Sequence, residues 1–193
     1  MSGASWLDGW QTDDVLSSTE LAKSGGGFYD STLGTIAASF DITSMPGWGA
    51  TIKLELVGRG DTSASTVAVN IRFNGDNVNN YYNQRQNTNA STVSAAESLT
   101  ANAGVVGVVA ASLVGTAHAG MLEAVIPQFR GTTFYTEYSS SGGWSQGTLT
   151  GNIWTDRRQG LWLSNAAITR ITVLPASGNF VAGSRCIARV FGP

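Results

Sequence analysis

The chain has 193 residues, of which 42% are hydrophobic and only 12% are charged, and its formal net charge is −2. This length supports one core of good size without a disulfide or a metal. The charge balance argues against a nucleic-acid binder, because no basic face is available to neutralise phosphates. Cys186 is the single cysteine, which excludes an intramolecular disulfide, and its apolar surroundings predict a buried thiol.

The first 27 residues differ in composition from the rest of the chain. They contain Trp6 and Trp10, an acidic pair at 13–14, and three consecutive glycines at 25–27. We predict an N-terminal arm over residues 1–27, with one short helix over 13–23. The two tryptophans are four residues apart and would point the same way in a helix or in an extended arm. They are therefore candidate anchors on a partner protein; the alternative is that they pack on their own domain.

From residue 28 onward the pattern is that of β-strands. Residues 51–57 and 66–73 alternate apolar and polar side chains, as a half-buried strand does, and Asn74-Gly75-Asp76 is a strong turn signal. Further strands are predicted at 35–42, 120–126, 132–138, 148–154, 160–163, 168–174 and 185–191. Eight or more strands with dense turns, and no alternation with long helices, predict an all-β domain over 28–193, an antiparallel jelly roll or β-sandwich.

Two segments depart from this regular pattern. Residues 77–103 are rich in Asn, Gln, Ser, Thr and Ala, which predicts a long loop of functional importance with a short helix near 92–99. Residues 104–115, GVVGVVAASLVG, are the most apolar window but are too short to span a bilayer. We predict one or two buried strands there and no membrane partner.

The sequence contains no recognisable catalytic or metal site. His118 is the only histidine, it lies in a turn next to glycine, and one His with one Cys cannot supply a zinc site. Asp76, Glu123, Glu137 and Asp156 are the candidates for a glycosidase pair, yet each has a complete structural explanation. The oxygen-bearing side chains around Asp76 lack the spacing of an EF-hand. We therefore expect no enzyme, no cofactor and no metal.

The aromatic side chains are more suggestive of a binding role. Aromatic faces stack on sugar rings or anchor protein interfaces. Tyr81, Tyr82 and Trp144 are the candidates for contact with a glycan or a partner protein. The alternative for these three residues is packing in the core or at its rim.

Short motifs toward the C-terminus resemble a tail found in many virion proteins of tailed phages. They are Gly160-Leu161-Trp162-Leu163, then Ala166-Ala167-Ile168-Thr169-Arg170-Ile171, and then Gly178-Asn179-Phe180-Val181-Ala182-Gly183-Ser184. Residues 71–76, with Tyr81 and Tyr82 just after them, resemble a companion motif of the same group, and the likeness spans most of 28–193. Related proteins often end in a Tyr-Gly-Ile-like tripeptide, where this chain has Phe-Gly-Pro. The last motif, with a Phe plug between two turns, predicts a closing hairpin.

This resemblance implies a jelly-roll structural protein of a phage virion. We expect a capsid decoration (cement) protein on the exterior of the particle, which binds the major capsid protein and stabilises its lattice. It would form a homo-dimer or homo-trimer, assemble in the host cytoplasm, and use Trp6 and Trp10 as anchors. The alternative is a carbohydrate-binding or receptor-binding domain of a tail fibre or spike.

Overall fold

The computed structural model describes residues 27–89, 91–145 and 153–192. Within these ranges the chain forms twelve β-strands and no helix, and every pairing between the strands is antiparallel. In chain order the strands are β1 (Gly27–Thr32), β2 (Phe40–Ile42), β3 (Thr51–Gly58), β4 (Thr66–Phe73), β5 (Tyr81–Asn89), β6 (Thr92–Ala101), β7 (Gly104–Ala110), β8 (Gly120–Pro127), β9 (Thr136–Ser145), β10 (Ile153–Trp162), β11 (Ile171–Pro175) and β12 (Arg185–Phe191). The predicted arm and its helix lie outside the described residues, except that Gly27 already belongs to β1.

The strands form an eight-stranded sheet in the order β1-β12-β3-β8-β9-β10-β5-β6 and a four-stranded sheet in the order β2-β11-β4-β7. The small sheet and the first four strands of the large sheet together have the strand order of an eight-stranded jelly roll. The other four strands are two inserted hairpins. The β5–β6 hairpin is inserted between β4 and β7, and the β9–β10 hairpin between β8 and β11. Both extend the large sheet on the same side, beyond the jelly roll.

The core lies between the two sheets and follows from the alternation seen in the sequence. Strand β3 buries Ile52, Leu54 and Leu56, while β4 buries its apolar residues from Val67 to Phe73. One continuous cluster joins the buried residues of both sheets. The strands predicted at 51–57 and 66–73, and the all-β sandwich as a whole, are confirmed.

The strand predicted at 185–191 is confirmed with the same bounds, and the remaining strand predictions agree in position but differ at their ends. The strand predicted at 132–138 begins at Thr136 and continues to Ser145, and the strand predicted at 160–163 is the end of the longer β10, which stops at Trp162. The strand predicted at 168–174 begins at Ile171, because Asn74 holds the preceding turn: its Oδ1 accepts a hydrogen bond from the Thr169 amide at 2.7 Å. Of residues 35–42, only 40–42 form a strand. The segment predicted at 148–154 lies mostly outside the described residues.

The predicted loop and helix in residues 77–103 are wrong, because this segment forms the β5–β6 hairpin. The hairpin extends past the small sheet, so neither face of its outer part meets the core. Residues 84–86 are exposed on consecutive positions, and all of residues 92–100 are exposed. The apolar alternation that marks a strand in a sequence is therefore missing here.

The predicted closing hairpin is also wrong, because β11 and β12 lie in opposite sheets. The Gly178-Asn179-Phe180 motif instead shapes the crossing between the sheets. Gly178 adopts a φ of +67°, and Asn179 donates hydrogen bonds to both carboxylate oxygens of Asp61, at 2.7 and 2.9 Å. These bonds lower the pKa of the Asp61 carboxyl. Phe180 is fully buried against Phe40, with ring centroids 5.3 Å apart, as the predicted plug.

Candidate functional site

The outer face of the large sheet is the side turned away from the small sheet. On β8, β9, β10, β5 and β6, alternate residues point to this face, so their side chains form rows across the strands. One row is Glu123, Ser141, Arg157, Gln86 and Ala95, and the next is Val125, Ser139, Gln159, Gln84 and Glu97. All of these residues except Glu97 line a trough of about 830 Å³, which we call the polar trough.

The polar trough offers mainly uncharged hydrogen-bonding groups. The Glu123 carboxylate is paired with the Lys53 ammonium at 2.8 Å. The other charged side chain in the row of Glu123 is Arg157. Amide and hydroxyl groups both donate and accept hydrogen bonds. Along the strands the lining of the trough runs from the row of Val93, opposite Thr88, to the row of Gln84, which is four residues or about 13 Å. The trough can therefore hold a polar, uncharged chain of several units.

Tyr82 lies at one end of the polar trough. It is half-buried and lines a second depression of about 170 Å³ together with Glu97, Glu137, Gln159 and Leu161. Of the three aromatic candidates from the sequence, Tyr82 is the one that the structure places on the outer face.

Tyr81 and Trp144 do not have the predicted surface role. Neighbouring residues of a strand point to opposite faces, so Tyr81 is fully buried, and its hydroxyl accepts a hydrogen bond from the Phe73 amide at 2.9 Å. Burial raises the pKa of the Tyr81 hydroxyl. Trp144 is only 4% exposed and stacks on Trp154 at a centroid distance of 5.6 Å. Both rings pack inside the protein and cannot stack on a sugar at its surface.

Three large apolar side chains are exposed at the other end of the outer face. Val57 is 53% exposed, Met121 65% and Ile153 71%. Val57 lies directly opposite Met121, and Met121 lies opposite Gly143, which has no side chain to cover it. Met121, Gly143 and Ile153 line a depression of about 620 Å³. We call Val57, Met121 and Ile153 the apolar patch; exposed groups of this kind are typical of sites that bind another protein.

The sequence showed neither the apolar patch nor the polar trough. Met121 and Ile153 are 32 positions apart, and they line the same depression only because β9 pairs with both β8 and β10. Gln84 and Gln159 belong to different inserted hairpins. One signal that could have found part of these surfaces is the spacing of residues 120–126, since a strand there would place Met121 and Glu123 on the same face.

The four carboxylates weighed as a glycosidase pair are not brought together. Asp76 closes the turn after β4, where its Oδ2 accepts hydrogen bonds from Trp162 Nε1 at 2.7 Å and Asn80 Nδ2 at 3.0 Å. Burial by itself raises the pKa of the Asp76 carboxyl, but these hydrogen bonds and one from the Val78 amide lower it below its ordinary value. Asp76 is thus a structural residue of the turn.

The other three carboxylates also occupy separate places. Asp156 is buried on the inner side of β10 and pairs with Arg158 at 2.6 Å. Glu123 and Glu137 share the outer face. Glu123 lies opposite Ser141 of β9, and Glu137 lies on the same strand β9, four residues from Ser141. That separation is about 14 Å along the strands, longer than the roughly 6.5–9.5 Å of an inverting glycosidase pair.

Cys186 is fully buried, as predicted, and burial raises the pKa of its thiol to about 12. His118 lies in the loop between β7 and β8, with its Nδ1 at 3.4 Å from Ser145 Oγ. In the part of the chain that the structure describes, no group of three His, Cys, Asp or Glu side chains could hold a metal ion.

No helix within the described ranges has the length and apolar character needed to cross a membrane. Trp6 and Trp10, the predicted anchors, lie outside those ranges.

No family model, curated protein or solved structure matches the chain. Its function is therefore inferred from the geometry of the outer face and from the motifs of the sequence.

Proposed function

We propose that the chain is a structural protein of a phage virion, a capsid decoration protein that binds the major capsid lattice and stabilises the assembled shell. The observation that carries this proposal is the apolar patch: Val57 and Met121 lie opposite each other, Ile153 lines the same depression as Met121 from beyond β9, and each side chain is more than half exposed. The jelly-roll strand order, the low charged fraction and the C-terminal motifs support it as well.

Covering the apolar patch would give a useful binding free energy. Each of the three side chains contributes about 1–2 kcal/mol if its remaining exposed surface is buried, at about 25 cal/mol per Å². The Lys53–Glu123 ion pair lies one row away on the same face and provides a polar rim around the patch. A protein that binds only the assembled lattice shifts the equilibrium away from disassembly by mass action.

Co-sedimentation with purified capsids of the encoding phage tests this proposal. The double variant Met121→Lys/Ile153→Lys is expected to bind capsids at least about tenfold more weakly, because two charges replace the apolar contact. The matched control is Ile36→Lys/Leu113→Lys, which changes two side chains that are 59% and 68% exposed outside the patch. Equal capsid binding by the patch variant and the control, with both folded by circular dichroism, would contradict the proposed surface.

The two tryptophans of the predicted arm give a second test of the same function. Trp6→Ala/Trp10→Ala is expected to weaken capsid binding and to leave the melting temperature of the free protein unchanged. If both rings pack on their own domain instead, the same substitutions lower the melting temperature. A thermal melt run beside the co-sedimentation assay therefore separates the two alternatives.

A glycan-binding role on a tail fibre or spike is the second candidate, and the polar trough is the observation that favours it. Neutral amide and hydroxyl groups with Tyr82 at one end suit an oligosaccharide. Titration with oligosaccharides from the host envelope is expected to show binding that Tyr82→Ala and Gln86→Ala remove. Tyr135→Ala is the control, because Tyr135 is 55% exposed away from the trough. If the unmodified protein binds no glycan, the glycan-binding role is rejected and the capsid role remains as the proposed function.

A further inference from the structure

Strand β6 is the outermost strand of the large sheet and leaves one edge unpaired. Within the described ranges β5 is its single hydrogen-bonded neighbour. Exposed edges are normally protected by charged residues, proline or bulges. Strand β6 carries one charged residue, Glu97, and no proline. Strand β6 is interrupted near Thr100, whose φ is +58°, by a bulge opposite Tyr81 and Asn83. The part of β6 that pairs regularly with β5 is therefore Thr92–Ser98, a stretch of seven residues.

The other sheet edges in the described part of the chain are better protected. Strand β1 has six residues, and Asp30 on it pairs with the Arg185 guanidinium. Strand β2 has only three residues. On β7 the Val105 amide donates a hydrogen bond to Asn83 Oδ1, and the Ala110 carbonyl accepts one from the Gly60 amide. The long, weakly charged edge of β6 therefore differs from these three.

We propose that this edge binds a second copy of the chain. The two β6 strands pair antiparallel around a two-fold axis at Ala95, which joins the two large sheets into one continuous sheet. In this register Ala95 faces its own copy, Val93 faces Glu97 of the other chain, and Thr92 faces Ser98. The pairing supplies hydrogen-bond partners to the free backbone groups of β6, and it does not depend on the proposed capsid role.

The side chains of β6 favour this register and a second copy as the occupant. Centring the pair on Ala95 uses all seven regular residues, and the side chains at its centre (Ser94, Ala95 and Ala96) are small. The two Glu97 carboxylates are then four residues apart, about 14 Å, which exceeds the Debye length of about 8 Å in physiological salt. A register centred on Glu97 would instead place the two carboxylates directly opposite each other, which is destabilising.

The pairing would also enlarge the polar trough. Val93, Ser94 and Ala95 form the wall of the trough that lies nearest the edge. Two-fold pairing at Ala95 places the troughs of both copies side by side across the seam, so the dimer presents twice the polar surface on one face.

Sedimentation of the full chain at micromolar concentrations measures the pairing, and two lysine substitutions test its register. The unmodified protein is expected to form a dimer. Ala95→Lys places two like charges opposite each other and should raise the dimer Kd about fivefold or more. The matched variant Val93→Lys places its ammonium opposite Glu97 of the other copy, and should keep or lower the Kd. Both positions are exposed, so the fold is expected to be unchanged by circular dichroism.

Cysteine cross-linking gives a second measurement that does not rely on affinity. Ala95→Cys is expected to form a covalent dimer with a short bifunctional thiol reagent, while the buried Cys186 does not react. Val93→Cys alone should not cross-link, because its two copies lie about 14 Å apart, but it should cross-link when mixed with Glu97→Cys. A monomeric unmodified protein, a dimer equally sensitive to both lysines, or equal cross-linking of Ala95→Cys and Val93→Cys would each overturn the proposal.

Discussion

Replacing Gly160 with alanine tests how the inserted hairpins are fixed to the jelly roll. The Tyr138 ring of β9 passes directly over Gly160 of β10 and ends next to Gly104 of β7. A Cβ atom at position 160 would lie 1.9 Å from Tyr138 Cζ. The Tyr138 hydroxyl donates a hydrogen bond to Asn83 Oδ1 at 2.9 Å, and the same oxygen accepts one from the Val105 amide at 2.7 Å. This buried group connects β5, β7 and β9.

The expected loss of stability follows from these contacts. The ring must move by more than about 1.5 Å to reach an ordinary contact distance, yet Tyr138 is only 1% exposed and packs edge-on against Phe73. Overpacking of this kind costs about 1–3 kcal/mol. Displacing the hydroxyl costs about another 1–3 kcal/mol, because buried polar groups lose a partner. Gly160→Ala should therefore lower the free energy of unfolding by about 2–5 kcal/mol, a large part of the stability of a typical domain.

Urea denaturation of Gly160→Ala, Tyr138→Leu and the double variant measures this effect. Since Tyr138→Leu removes the ring, Gly160→Ala should cost less than about 1 kcal/mol in that background, which gives a coupling energy of about 1 kcal/mol or more. Gly34→Ala is the control, because a Cβ atom at Gly34 meets nothing within 4 Å. An unchanged free energy of unfolding for Gly160→Ala, or full additivity with Tyr138→Leu, would refute the reasoning.

Three further predictions concern single buried or hydrogen-bonded groups. The Cys186 thiol should not react with a thiol reagent in the native state and should react on unfolding, because burial raises its pKa to about 12; rapid native reaction would contradict this. Asp156→Ala should cost about 3–5 kcal/mol in urea denaturation because it leaves the Arg158 charge buried, and replacing both residues with leucine should cost less. The folded-state pKa of Asp76 is lowered, so its stabilising effect is present above the unfolded pKa of about 3.9 and is lost as pH falls through the folded value. Asp76→Asn should therefore weaken the acid dependence of stability, and an unchanged dependence would argue against that role.

The sequence predicts those strands that have one face in the core. Residues 66–73 alternate apolar and polar side chains because β4 meets the core on one face only, and the observed strand has the same bounds. Residues 185–191 are a second such case, since Cys186 and Val190 are buried while Arg185 and Arg189 point outward. In these strands buried and outward positions alternate, so apolar and polar residues alternate as well and the sequence alone indicates a strand.

The inserted hairpins could not be predicted in the same way. Strand β6 is exposed along almost its full length, and the outer residues of β5 have no buried face, so nothing in their composition distinguishes a strand from a loop. The pairing of β5 with β10 joins residues that are distant in the sequence, such as Gln84 and Gln159, which are 75 positions apart. The polar trough exists only through this pairing, so no local pattern could indicate it.

The proposed surfaces combine the inserted hairpins with the jelly roll. The β6 edge and Ile153 belong to the hairpins, Val57 and Met121 come from the jelly roll, and the polar trough joins hairpin residues to Glu123 and Val125 of β8. A binding surface built across both parts requires the hairpins to be held in a fixed position relative to the core. The Tyr138–Asn83 hydrogen bond joins the two hairpins to each other, and the bond from the Val105 amide of β7 to Asn83 Oδ1 attaches them to the jelly roll. Gly160 and Gly104 leave room for the Tyr138 ring at this point. Gly160 is thus a position where the lack of a side chain fixes the hairpins, although glycine offers no functional group of its own.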